Sequence, residues 1–230
     1  MPSLYNQQTN TIFPRLTLLF LETLILAASA WLLLLQGPRR LNDWFHVGLG
    51  AGSTDRNVLL FVLIAFVYAR MLFTLFYLLK RAVPWQEAFA VPLAFALYYV
   101  GFPLLSQQRE SALDGWDALF AALFLAGSFI NTYSELQRDR WKRRLENKGK
   151  LYASGLFRHC AHINYFGDLL WVLALALLTR NLWSLAIPAA LFGLFAFYNI
   201  PMLDRHLESK YGEDFRLYRK QTSKLIPYIY

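Results

Sequence analysis

The chain has 230 residues, of which 57% are hydrophobic and 17% aromatic, and it carries a formal net charge of +8. This composition excludes an ordinary soluble domain and indicates a multi-pass membrane protein. No nucleic-acid partner is predicted, because the basic residues lie beside apolar segments, where phospholipid headgroups or a phosphorylated cofactor are the nearer anions.

The apolar segments predict the secondary structure. A spanning helix needs about 20 mainly apolar residues. The stretch 168–203 is too long for one such helix, so Arg180 and Asn181 are expected to divide it. The predicted helices cover residues 16–36, 57–79, 88–105, 118–133, 168–179 and 182–203. We therefore predict an all-α fold, a multi-pass transmembrane helical bundle of about six helices that forms a single domain, 1–230.

The distribution of lysine and arginine predicts the orientation in the membrane. Residues 136–150 hold seven Lys and Arg against two acids, and the tail after Leu203 holds six against four. Both segments are therefore expected on the cytoplasmic face, and the two helices between them make this topology consistent. Arg39, Arg40 and Arg56 are exceptions, since the same count places them on the opposite face.

Within the basic segment, Arg138 and Lys142 are four residues apart and share one face of a helix. Such a pair can hold one phosphate-bearing group. Anchoring to lipid headgroups explains the same residues, and spacing alone leaves both interpretations open.

The next segment places a histidine, a carboxamide, a phenol and a carboxylate within seven residues, just before an apolar run. Its candidate site residues are His162, Asn164, Tyr165, Gly167 and Asp168. Asp168 either caps the following helix or binds a ligand. His159 and His162 are three residues apart, but no further Cys or His cluster completes a metal site, so no metal is predicted. Cys160, the single cysteine, has no readable partners for a nucleophilic role.

The tail 204–222 places Leu207, Tyr211, Phe215 and Tyr218 at helical spacing. It is expected to form an amphipathic helix, which either lies in the membrane interface or folds over a cofactor. In the second case, Tyr211 and Tyr218 would supply hydroxyls, and a tyrosine can donate a proton to a developing carbanion.

Two acids lie in or near the early helices. Glu22 is expected to face the bundle with a partner, or to lie near the interface. Glu87 is expected in the first turn of its helix, where the helix dipole favours an acid. Tyr98 lies about three turns deeper in the same helix and could reach a buried substrate.

Four motifs then follow in a specific order. Sterol reductases carry N-x-Q-K-x-x-F-R, which residues 135–142 match after the first position with like-for-like changes. Their R-H-x-N-Y-x-G-D motif matches residues 161–168 except for the arginine, and K-Y-G-x-x-W-x-x-Y and I-P match residues 210–218 and 226–227. Over about 95 residues the chain resembles the membrane superfamily of steroid 5-alpha-reductases, sterol reductases and isoprenylcysteine carboxyl methyltransferases. It is most similar to the bacterial-type branch that resembles the 5-alpha-reductases.

The resemblance implies a dinucleotide site in residues 135–230, with residues 1–134 forming the anchor and substrate-cavity helices. Arg138 and Lys142 would hold phosphates, and Tyr218 would act at the reactive end. The remaining implied cofactor residues are Gln137, His162, Asn164, Tyr165, Gly167, Asp168, Asp204 and Tyr211. By analogy with the 5-alpha-reductases, Glu87 and Tyr98 would polarise a substrate carbonyl.

The resemblance leaves two cofactors open, NADPH and S-adenosylmethionine. Asp168 and the basic segment favour NADPH, since methyltransferases usually carry glutamate at that position and their cofactor has no phosphate. Ala161 and Met202-Leu203 depart from the sterol reductase pattern. The expected function is reduction of a carbon–carbon double bond in a lipophilic substrate that enters from the bilayer. The alternatives are a methyltransferase and a non-catalytic lipid-binding protein.

Overall fold

The computed structural model describes residues 12–50, 52–107 and 110–230, and this part of the chain is mostly helical. Its helices are α1 (Ile12–Leu34), α2 (Gly37–Phe45), α3 (Thr54–Leu78), α4 (Trp85–Ser106), α5 (Gly115–Lys142), α6 (Ile163–Leu178), α7 (Leu182–Tyr211) and α8 (Glu213–Gln221). The described residues form no β-strand, and a single parallel bridge joins Cys160 to Ser223. The predicted all-α fold is confirmed.

Five of these helices, α1, α3, α4, α5 and α7, are long and apolar enough to cross a membrane. The apolar helix α6 is shorter, with 16 residues. Together they are the six apolar helices predicted from the sequence, and the transmembrane helical bundle is confirmed.

The predicted helix boundaries differ from the observed ones, and three of these differences fall in segments that carry predicted site residues. Helix α5 continues to Lys142 instead of ending at residue 133, because the charged residues 135–142 include strong helix formers. Helix α6 begins at Ile163, so Asp168 lies inside the helix and does not cap it. The tail predicted as one helix over 204–222 is broken at Gly212, whose φ of 55° and ψ of −122° interrupt the helical backbone.

The chain divides into two compact units, the first made of the described residues up to Ala121 together with Leu175–Leu185. The second unit comprises Ala122–Ala174 and Ala186–Tyr230. The prediction of a single domain over 1–230 stays a prediction. In the first unit, α1 packs against α3 and α4. The apolar cluster there consists of Leu18, Met71, Leu75, Val83 and Ala88.

A buried ion-pair network also holds the first unit together. The guanidinium of Arg56 lies 3.0 Å from Oδ2 of Asp117, and these side chains are only 1% and 2% exposed. Arg180 donates to Oδ1 of Asp117 at 3.2 Å and also pairs with Asp114. Arg56 further donates to the carbonyl of Ser111 at 2.9 Å. These pairs explain why Arg56 and Arg180 are compatible with apolar surroundings.

In the second unit, α5 and α6 cross with their backbones in close contact. Two glycines make the crossing possible: a Cβ atom on Gly127 would lie 2.6 Å from the backbone nitrogen of Trp171, and one on Gly167 would lie 2.5 Å from that of Asn131. The side chain of Asn131 donates to the carbonyl of Asn164 at 3.1 Å. The crossing therefore fixes the start of α6, which carries several predicted site residues.

Candidate active site

A small cavity in the second unit brings six of the predicted site residues together. Its volume is about 60 Å³. The predicted residues on its wall are Arg138, Lys142, His162, Asn164, Tyr211 and Tyr218. Apolar side chains, among them Leu151, Phe157 and Leu207, complete the wall. Residues up to 80 positions apart thus meet around one space.

His162 is the most deeply buried polar residue of this cavity, with 2% of its side chain exposed. Its Nε2 lies 2.8 Å from Oδ1 of Asp204. The second carboxylate oxygen lies 3.5 Å from Nε of Arg219, a residue that was not predicted. The imidazole stacks on Tyr165, whose ring stacks in turn on Phe195 at 4.4 Å between centroids. These contacts hold the imidazole in one orientation against the cavity.

Arg138 and Lys142 lie one turn apart on α5, on the same side of the cavity. Arg138 pairs with Glu135, and its guanidinium lies 5.5 Å from the ring centroid of Phe157. Lys142 is exposed and makes no hydrogen bond or salt bridge with any residue that the structure describes. The guanidinium of Arg138 is therefore held in place by its neighbours, whereas the ammonium of Lys142 has hydrogen-bond donors available for a ligand.

Tyr218 is buried, and its hydroxyl donates to the carbonyl of Phe157 at 2.6 Å. Burial raises the pKa of this phenol, so it stays protonated at neutral pH. Burial likewise raises the pKa of the Cys160 thiol to about 11. A thiol that stays protonated is a poor nucleophile.

Three further predicted cofactor residues make structural contacts outside the wall of this cavity. Oε1 of Gln137 accepts from the backbone nitrogen of Leu156 at 3.1 Å. Oδ1 of Asp168 accepts from the indole nitrogen of Trp171 at 2.8 Å. Gly167 lies in the helix crossing described above. Their assignment to a cofactor site stays a prediction.

The two residues predicted to polarise a substrate carbonyl lie in the first unit and are not brought together. Glu87 pairs with Arg81 at 2.8 Å and is partly exposed. Tyr98 is buried, and its ring stacks on Phe102. The two are eleven residues apart on α4, which is roughly 16 Å along a helix axis. A catalytic role for them stays a prediction, and they cannot both contact one carbonyl oxygen.

The donors around the second-unit cavity suit an anionic ligand. Lys142 and the side-chain amide of Asn164 make no hydrogen bond with any of the described residues. Ammonium and guanidinium groups are the usual protein ligands of phosphate, and an amide can bond to a carboxamide. The cavity, with a volume of about 60 Å³, is smaller than a whole dinucleotide. Its donors therefore fit the chemistry of a dinucleotide, but its volume does not accommodate the whole molecule.

Residues 75–222 match the family described as Protein of unknown function (DUF1295). The match covers more than half of the chain and includes all of the cavity described above. The chain belongs to this family.

Curated relatives of this family member include two steroid dehydrogenases and a sterol reductase. The chain is 30% identical over 122 residues to 3-oxo-5-alpha-steroid 4-dehydrogenase 2 of Homo sapiens, covering 51% of the chain and 46% of that protein. It is 31% identical over 108 residues to 3-oxo-5-alpha-steroid 4-dehydrogenase 1 of Rattus norvegicus, covering 47% and 40%. It is 36% identical over 85 residues to Delta(14)-sterol reductase erg24 of Schizosaccharomyces pombe, covering 35% and 20%. The chain thus spans less than half the length of each relative. The resemblance to steroid and sterol reductases is confirmed.

A set of buried polar atoms in the first unit of this DUF1295 member includes Glu22, to which the sequence interpretation gave no functional role. Both carboxyl oxygens of Glu22, the hydroxyl of Tyr99 and that of Ser29 are buried, with no hydrogen-bond partner among the described residues. Glu22 and Arg70 lie within electrostatic range of Tyr99. The expected partner of Glu22 is therefore not seen. An acid in the middle of an apolar segment was the available signal, since such residues mark functional sites by default.

Proposed function

We propose that the chain is a membrane-embedded reductase that uses NADPH to reduce a carbon–carbon double bond in a lipophilic, steroid-like or isoprenoid-like substrate. The observation that carries this proposal is the basic pair Arg138 and Lys142 on the wall of a cavity that also holds His162 and Asn164. The names of the relatives, two 5-alpha-steroid dehydrogenases and a sterol reductase, support the same reaction class. The basic segment 136–150 and the C-terminus would face the cytoplasm, where NADPH is available.

Each residue of the cavity has a distinct proposed task. Arg138 and Lys142 bind phosphate oxygens, and the amide of Asn164 bonds to a polar group of the cofactor. The pair His162–Asp204 keeps the wall in one geometry, so that little reorganisation accompanies binding. When bound there, NADPH supplies the hydride, while the protein supplies position, charge and exclusion of water.

Proton donation after hydride transfer requires an available acid. Tyr218 already donates its proton to the carbonyl of Phe157, so its predicted catalytic role requires that bond to break. Tyr211 lines the same cavity, and its hydroxyl makes no hydrogen bond with the described part of the chain. This difference favours Tyr211 as the proton donor to the substrate. Tyr218 then has a structural role, because its hydrogen bond to Phe157 stabilises the cavity wall.

The polar end of the lipophilic substrate would bind to Glu22 and Tyr99. A protonated carboxyl and a phenol can each donate to one carbonyl oxygen, which withdraws electrons from a conjugated double bond. Leaving such groups buried and unpaired costs stability, a cost that functional sites often carry.

Glu22→Leu is therefore expected to increase the free energy of unfolding by roughly 1–3 kcal/mol, because it removes an unpaired buried carboxyl. Tyr99→Phe, which removes only the hydroxyl, should act in the same direction. Thermal unfolding in detergent measures both. A loss of stability in both variants would show that these groups have structural partners and would contradict their assignment to substrate.

Isothermal titration of the detergent-purified chain tests the cofactor assignment. We expect NADPH to bind, and Arg138→Ala/Lys142→Ala to weaken binding roughly a hundredfold, since each charged hydrogen bond contributes about 1.5–3 kcal/mol. The matched control is Arg140→Ala/Lys148→Ala. It removes the same charge from exposed residues that do not line the cavity, and should leave the affinity within about twofold.

Three outcomes of this titration contradict the proposal. Binding of S-adenosylmethionine but not NADPH would indicate a methyltransferase. Binding of neither by a protein with a cooperative thermal transition would indicate a lipid-binding protein without this chemistry. Equal losses in the two double variants would show that the basic segment attracts anions only through its net charge.

A further inference from the structure

A second cavity lies in the first unit, where α1 ends and α3 begins. Its volume is about 330 Å³. The apolar side chains of Leu32, Leu33 and Val58 form part of its wall. The rest comes from Leu34 and Gln36, from α2, and from residues at and just before the start of α3. Because α1 and α3 are both long and apolar enough to span a membrane, their ends mark one of its surfaces. This places the cavity at the level expected for the boundary between hydrocarbon and headgroups.

Two hydrogen-bond donors on the wall of this cavity, from Arg39 and Asn57, suit an anion, and Gln36 and Thr54 can donate or accept. Asn57 is 95% buried, since only 5% is exposed, and its Oδ1 accepts from Nε2 of Gln107 at 3.3 Å. This bond leaves Nδ2 of Asn57 as the atom that can donate to a ligand. Arg39 is the one charged residue on the wall, and its guanidinium makes no ion pair with the described residues. An acceptor-only, negatively charged group complements this set.

Helix α2 has the composition of a helix that lies in the membrane interface. Trp44 and Phe45 are 62% and 67% exposed, on a nine-residue helix that also carries Arg39 and Arg40. Exposed aromatic rings together with arginine favour the headgroup region of a bilayer. The nearby acid Asp43 is exposed and does not line the cavity, and the same is true of Asp55. The positive charge on the wall is therefore not offset inside the cavity.

We propose that this cavity binds the headgroup phosphate of an anionic phospholipid. Arg39 and Nδ2 of Asn57 donate to the phosphate oxygens, and the acyl chains lie against Leu32 and Leu33. The site explains why an arginine remains exposed on the face that the positive-inside rule assigns to fewer basic residues. It is independent of the cofactor cavity, so either proposal can fail without the other.

Native mass spectrometry of the full chain tests this site with phosphatidylglycerol, phosphatidylcholine and diacylglycerol of equal chain length. We expect phosphatidylglycerol to be retained in preference to the other two. Arg39→Gln should weaken its binding roughly tenfold, the effect of one charge-assisted hydrogen bond. Arg40→Gln is the matched control, since it removes the same charge from the next residue, which does not line the cavity. The affinity of the Arg40→Gln variant for phosphatidylglycerol should stay within about twofold of that of the unchanged protein.

Three results would overturn the proposal. The first is an equal loss of lipid in Arg39→Gln and Arg40→Gln, which would show attraction by net charge alone. The second is equal retention of diacylglycerol, which would show that the phosphate is not recognised. The third is displacement of the lipid by equimolar glycerol phosphate, which would identify a soluble phosphate as the ligand. Arg39 is exposed, so its substitution is not expected to prevent folding.

Discussion

Replacing Asp117 by alanine is expected to lower the free energy of unfolding by about 3–5 kcal/mol. Asp117 accepts from Arg56 at 3.0 Å and from Arg180 at 3.2 Å, and Arg56 is almost completely buried. The substitution leaves the charge of Arg56 in a dry environment without its counter-ion. Loss of a buried partner costs far more than loss of an exposed one, because the remaining group cannot return to water. Thermal or denaturant unfolding in detergent measures the effect.

The control for this experiment is Glu208→Ala, which removes a surface partner of Arg216. That pair is separated by 3.0 Å, but its side chains are 50% and 57% exposed. It should change stability by less than about 1 kcal/mol. A second substitution, Arg56→Met, should recover part of the stability lost in Asp117→Ala, because it removes the unpaired charge. If Asp117→Ala and Glu208→Ala have equal free energies of unfolding, the ion-pair network around Arg56 does not stabilise the protein as described.

Gly167→Ala is expected to destabilise the protein by about 1–3 kcal/mol or more. The added Cβ atom would lie 2.5 Å from the backbone nitrogen of Asn131 and 2.8 Å from the carbonyl oxygen of Gly127. Both neighbours are backbone atoms, so the two helices must separate before the methyl group fits. Separation removes contacts along the whole crossing of α5 and α6.

Gly193→Ala is the matched control for this prediction. Gly193 is also helical, but no atom of the described residues lies within 4 Å of the position that its Cβ atom would occupy. Alanine has the higher helix propensity, so this variant should gain up to about 1 kcal/mol. A stable Gly167→Ala variant that loses NADPH binding would contradict the packing explanation and would favour the predicted role of Gly167 at the cofactor.

Local features of the sequence predicted much of the fold. A run of about 20 apolar residues forms a helix in hydrocarbon because no other local structure pairs its backbone groups. For this reason the six apolar helices could be recognised without a structure. Their ends were less predictable, since charged helix formers such as Glu135 and Lys142 extend a helix without adding apolar length.

Local spacing also identified part of the candidate site. Arg138 and Lys142 share a helix face by periodicity alone, and the segment 162–168 was conspicuous because its polar residues precede an apolar run. Spacing could not tell which of these residues face the cavity and which face a neighbouring helix. Gln137, Gly167 and Asp168 belong to the same motifs, yet each has a packing contact that accounts for it.

The sequence by itself determined the class of the protein, the approximate helices and the family motifs, because hydrophobicity, helical periodicity and motif order are properties of neighbouring residues. Only the tertiary structure decided the partners of the polar groups. The side chain of His162 contacts Asp204, which lies 42 residues later in the chain, and Arg56 pairs with Asp117, 61 residues later. Glu22 meets no partner among the described residues. A buried charge is stabilised or left unpaired by side chains from distant segments, and that outcome depends on how the helices pack.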